Sequence, residues 1–176
     1  LFSGGLLLIY LWPSLFWNFM QSIELYFDNF EFNAGIFYLT KWIASFFVDG
    51  NPTLIVGPAL SIIAFISILF IAFYKPINSS QEWLRRMMWG YIVYLLLATT
   101  VHPWYVILPL GLAVFSKNLG VLFWSYLIML SYGFYAFGNA EIGYTLIAIE
   151  YVLLVYFLLF PNGFILQKFR KVLRLV

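Results

Sequence analysis

Only one residue of the chain carries an imidazole. His102 stands in the stretch "TTVHPWYVILPLGLAVF", after Thr99 and Thr100 and before Pro103, Trp104 and Tyr105. In surroundings this apolar, an imidazole has two uses. It can hold a turn by bonding a backbone carbonyl, with Pro103 breaking a helix and Trp104 lying in an aromatic belt at a membrane surface. Alternatively, it can bind an anionic group or move a proton in a cavity, with the two threonine hydroxyls as added donors. Carboxylates offer two more places for chemistry. Glu24, Asp28 and Glu31 recur at helical spacing, and "YFDNFEFN" mixes acids with rings of the kind that stack on sugar faces. They form either a solvated acidic loop or a contact surface, with Glu31 the preferred contact. Glu150 sits in the middle of an apolar run, where a carboxylate must face the interior of a bundle. Ser125, Tyr126, Ser131 and Tyr132 are its expected partners, in a structural role or in handling protons or substrate.

The elements that position these groups follow from composition. Of 176 residues, 64% are hydrophobic and 9% charged, and the mean hydropathy is +0.95. Soluble domains carry about 25% charged residues, so this surface is built for lipid. Several apolar runs exceed about 18 residues, which makes the spans helices rather than barrel strands. The chain has no cysteine and one histidine, which excludes disulfides and thiolate metal sites and leaves too few ligands for a dedicated metal centre. Neither metal nor cofactor is expected. The net charge of +2 resides largely in loops and in the tail "LQKFRKVLRLV", which suits anionic membrane lipid and does not imply nucleic acid.

Apolar segments lie at about Gly5–Phe19 (interrupted by Pro13), Leu54–Tyr74, Met87–Thr100, Tyr105–Phe115, Leu119–Phe137 and Ile142–Phe160. Pro161 and Gly163 then end the last one. Lys75, Arg85, Arg86, Lys117 and the tail bases fall in alternate connections, while Glu24, Asp28, Glu31, Asp49 and Glu141 fall in the others. The positive-inside rule makes the C-terminus cytoplasmic and turns "VHPW" and residues 21–53 outward. From Arg86 to His102 is about 16 residues, or roughly 24 Å of helix, against a hydrocarbon core of about 30 Å. Both arms of the turn are short, so His102 is expected at the bottom of a dip. Irregular backbone at that depth must be buried in protein or line a wet cavity.

The outer segment 21–53 is too charged to span. Asn33 can cap a helix from Ala34 to about Val48. Ile36, Leu39, Ile43, Phe46 and Phe47 share one of its faces and Tyr38, Lys41 and Ser45 lie toward the other, the pattern of a helix in the membrane interface anchored by Trp42. The fold class expected is all-α: one polytopic transmembrane bundle over 1–176 with this interfacial helix and a short-helix pair around His102. The chain opens on Leu inside an apolar run, without the basic region or cleavage site of a signal peptide. It is expected to be the C-terminal part of a longer protein.

Two strings carry a family resemblance: "LLATTVHPWYVILPLGLAVF", and "YFDNFEFNAGIFYLTKWI" followed by "NPT". Together they span about 100 residues in order, and they resemble the C-terminal half of bacterial polyprenol-phosphate-dependent glycosyltransferases of the GT-C fold, mannosyltransferase-like. The resemblance implies a multi-pass enzyme of the inner membrane that transfers a hexose, mannose favoured, from a polyprenyl-phosphate donor to a lipid or glycan acceptor at the outer face. It makes His102 the expected catalytic group, with Thr99, Thr100, Trp104, Tyr105, Glu31 and Asn33 as substrate contacts. By the same resemblance, the base that deprotonates the acceptor lies in an N-terminal loop that this chain does not carry. A transporter or flippase using Glu150 and His102, or a scaffold among other membrane subunits, are the rival readings.

Overall fold

The computed structural model describes residues 13–116, 118–160 and 167–168, with the backbone alone at 23–29. These residues fall into two units divided after Glu31, and each is described by itself. The first contains helix α1, Pro13–Asn29, with proline at a first-turn position where its missing N–H costs nothing. The helix runs straight through Gln21, where the outer segment was expected to begin. It stops two residues short of Glu31, so Glu24, Asp28 and Glu31 do not share one helical face. The apolar run before Pro13 lies outside the described residues, as do Lys117 and, save Gln167 and Lys168, the tail.

The second unit is all-α. It contains α2 (Gly35–Ala44), α3 (Thr53–Phe73), α4 (Ser80–Leu97), a 3₁₀ turn (Pro103–Val106) leading into α5 (Ile107–Ser116), α6 (Leu119–Leu127), a 3₁₀ stretch (Ile128–Tyr132), α7 (Gly133–Phe137) and α8 (Ala140–Leu159). Three stretches are long and apolar enough to cross a membrane: Thr53–Phe73, Leu119–Phe137 and Ala140–Leu159. Each lies within two residues of the span read from hydropathy. This is a membrane protein built of transmembrane helices.

Local chemistry sets the helix starts. Ser79, Asn118 and Asn139 accept hydrogen bonds from the first free N–H groups of α4, α6 and α8, as short polar caps do. Arg86 closes the loop of the α3–α4 hairpin. Its guanidinium donates to the carbonyls of Ala72, Lys75 and Pro76 and to Glu82 Oε1, and lies 4.6 Å from the Tyr74 ring centre. A residue read from sequence only as a topology signal thus satisfies one carbonyl of the last turn of α3 and two of the loop that follows.

The main core joins Met88, Ile92 and Leu95 of α4, Val101 and Val106 of the turn, Ala113 of α5, Val121 and Trp124 of α6, and Leu154 of α8. A second cluster packs Ala34 and Phe37 on Val56 and Leu60 of α3. The other side of α2 is exposed at Leu39, Trp42 and Ile43, and the turn after it at Phe46 and Phe47, which suits a helix lying against lipid. The α2 start differs from expectation. The residue flanking the helix is Ala34, with no side-chain cap. Asn33 has a left-handed backbone, φ 51°, and its side chain is committed elsewhere.

Candidate functional site

The helix pair around His102 is broken for a local reason. After Leu97 the backbone turns extended, with ψ 151° at Ala98 and 150° at His102. Thr99, Thr100 and Val101 are β-branched and favour that conformation, and Pro103 disfavours a helical His102. Pro103 then opens the 3₁₀ turn, where its lack of an N–H is harmless.

The extended stretch finds its hydrogen bonds far away in sequence. Phe32 donates its N–H to the Thr99 carbonyl at 3.2 Å, and Val101 donates to the Phe32 carbonyl at 2.7 Å. The result is a parallel bridge between Phe32 and Thr100. Thr100, Val101 and Pro103 are all buried. Non-helical backbone is thereby satisfied by protein, as membrane depth would require.

His102 sits half-buried in an aromatic surround. Its ring stacks on Trp104 at 4.3 Å and 9°, and on Phe32 at 4.9 Å and 26°. Tyr105 meets it edge-on at 5.5 Å, and Tyr135 lies 5.9 Å from Phe32. The turn is outside the spanning helices, and burial there holds the imidazole below the usual histidine range. That direction favours the neutral imidazole, a form with one N–H donor and one acceptor lone pair. Trp104 is more than half exposed, so the surround has an open aromatic wall.

A buried polar knot stands behind Phe32. Asn33 Nδ2 donates to Glu150 Oε1 at 3.2 Å, and Trp124 Nε1 donates to the same oxygen at 3.0 Å. Tyr151 donates its hydroxyl to the Asn33 carbonyl at 2.7 Å. Asn33, Trp124 and Glu150 have no exposure at all. Glu150 therefore faces the interior as expected, but its partners are Asn33 and Trp124 rather than Ser125, Tyr126, Ser131 or Tyr132. Ser125 and Ser131 instead bond carbonyls within their own helix, those of Leu122 and Ile128, while Tyr126 and Tyr132 are exposed.

The string "FNAG" becomes intelligible in this setting. Phe32 bridges and stacks, Asn33 takes the left-handed turn that its residue type tolerates, and Ala34 is fully enclosed. Gly35 approaches Tyr151 so closely that an added Cβ would lie 2.5 Å from the ring. Of the site residues named from sequence, the structure brings Thr99, Thr100, His102, Trp104 and Tyr105 together with the segment holding Asn33. Asn33 itself faces protein. Glu31 is half-buried and belongs to the first unit. Sequence reasoning did not name Phe32, Trp124 or Tyr151, though the aromatic run around "FEFN" was a signal for the first. Among the described residues, no three His, Asp or Glu side chains come together to hold a metal.

No family model, curated protein or solved structure matches the chain.

Proposed function

We propose that the chain is a membrane glycosyltransferase, moving a hexose, mannose favoured, from a polyprenyl-phosphate donor to a lipid or glycan acceptor at the outer face of a bacterial inner membrane. The observation that carries this reading is the convergence of His102, Phe32, Trp104 and Tyr105 at a helix break. Aromatic faces suit the C–H face of a sugar ring, and a neutral imidazole N–H suits a phosphate oxygen.

The chemistry is a displacement at the anomeric carbon. The acceptor oxygen bonds to that carbon while the bond to the phosphate oxygen breaks, and the phosphate leaves with the electron pair. The acceptor proton goes to a carboxylate base, as the family resemblance implies. His102 donates its hydrogen bond to the leaving phosphate, where charge develops. Trp104 and Tyr105 orient the sugar. Thr99 and Thr100 shape the floor of the turn. Glu150 is wholly enclosed, and its Oε1 accepts from Asn33 and Trp124, so it is given no part in the transfer.

The test is transfer from radiolabelled polyprenyl-phosphate mannose in membranes carrying the complete protein, wild type beside His102→Ala at matched abundance. A loss of 100-fold or more in the variant is expected. Equal transfer by both proteins overturns the role of His102. Absence of transfer by wild type overturns the donor class, and a transporter or scaffold subunit is then the reading to pursue.

A further inference from the structure

The Glu150–Asn33 contact is half of a recognisable pair. One arm is made, from Asn33 Nδ2 to Glu150 Oε1. The two atoms left over, Asn33 Oδ1 and Glu150 Oε2, are both buried and without a partner. An amide oxygen and a carboxylate oxygen are both acceptors, so neither can serve the other as an ion and an amide. A single proton on Oε2 changes that. A carboxylic acid and a primary amide form a two-bond ring in which the amide N–H donates to one acid oxygen and the acid O–H donates to the amide oxygen. Trp124 already occupies Oε1 as a second donor, and among the described residues Glu150 has no basic partner. Buried polar atoms are almost always satisfied, and this proton would satisfy both orphans at once.

We propose that Glu150 is a positioning residue for the His102 turn, acting as a neutral carboxylic acid paired ring-to-ring with the Asn33 amide. The connection to the turn is direct. Asn33 holds a left-handed conformation, and the side-chain pair together with the Tyr151 bond to its carbonyl anchors this residue from two sides. The residue just before it is Phe32, whose backbone clamps Thr99 and Val101 and whose ring stacks on His102. Glu150 touches neither His102 nor a substrate, and acts through Asn33 and Phe32. The inference stands whether or not the turn transfers sugars, because its test reads His102 itself.

The test uses the complete protein in its native membrane. Because His102 is the one histidine of the chain, its modification by diethyl pyrocarbonate is followed by mass spectrometry without ambiguity. Glu150→Gln keeps both arms, since its amide N–H replaces the acid O–H. Its modification rate is expected within twofold of wild type, whereas Glu150→Ala should react at least tenfold faster. Infrared difference spectra, wild type minus Glu150→Gln, should show a carboxylic-acid carbonyl band at neutral pH. An ionised carboxylate band in its place overturns the proposal. So does a Glu150→Gln rate raised tenfold, or a Glu150→Ala rate equal to wild type. Should Glu150→Ala fail to accumulate, the infrared band and the Glu150→Gln rate decide the matter by themselves.

Discussion

Phe32 and Thr100 are joined by a parallel β-bridge in a unit otherwise built of helices. That bridge brings the "FNAG" segment against the "TVHPW" turn and sets the Phe32 ring on the imidazole of His102. The Phe32 side of the site rests on this bridge, which makes its consequences measurable.

Removing the ring should cost both packing and stacking. Phe32 is 8% exposed, and truncation of a buried Phe to Ala destabilises by about 3–5 kcal/mol. Phe32→Ala is therefore expected to lower the melting temperature in detergent and to speed His102 modification. Phe32→Leu, which keeps the backbone bridge and most of the volume, should recover more of the stability than of the His102 protection.

The imidazole gives a pH signature. Burial lowers its folded-state value below the unfolded value of about 6.5. The unfolded chain thus takes up the proton first as pH falls. The His102 contribution to stability is constant well above pH ~6.5, declines as pH drops through that value, and levels off below the folded-state value. Melting temperatures from pH 8 to pH 5 check this, with His102→Gln expected to remove that component of the slope.

Anion binding should reverse the shift. A phosphate near His102 favours the charged ring, so a soluble polyprenyl-phosphate analogue is expected to bind more tightly as pH falls from about 8 toward 6. A ¹⁵N-histidine titration with and without the analogue reports this on one resonance. No rise in the midpoint with ligand would count against phosphate contact at His102.

Glycine positions separate close approach from mere flexibility. Gly35→Ala places a methyl against the Tyr151 ring and should cost about 1–3 kcal/mol. Gly111 in α5 has nothing within 4 Å of an added Cβ, so Gly111→Ala is expected to be neutral or stabilising by up to about 1 kcal/mol. Thermal unfolding of the two variants side by side gives the contrast.

Arg86 closes the α3–α4 hairpin, and its removal leaves several carbonyls without their donor. Arg86→Met, which keeps the stem and loses the guanidinium, is expected to destabilise by about 2–4 kcal/mol, given about 1.5–3 kcal/mol for a hydrogen bond to a charged group. Glu82 is held below the usual carboxylate range by its hydrogen bond from Arg86 and by the Asn78 N–H. In Arg86→Met its carboxyl should titrate higher, as seen by ¹³C-glutamate NMR.

What the amino-acid order determined by itself is the part of the protein that depends on neighbours along the chain. The spans, the break at His102 and the exposed apolar side of α2 were legible because hydropathy, β-branching and proline act within a few residues. The reading failed where a side chain had a distant alternative. Asn33 was expected as a helix cap because short polar residues serve N-termini, yet a left-handed backbone moves it off the cap and its amide nitrogen donates to Glu150. Glu150 was correctly turned inward by the cost of exposing an acid to lipid, but that cost is indifferent to which partner relieves it. Only the tertiary structure decided that position 32 meets 100, and that 33 and 124 meet 150. No local periodicity encodes a contact between such separated residues; it arises when packed helices leave one gap with the right polar groups facing it.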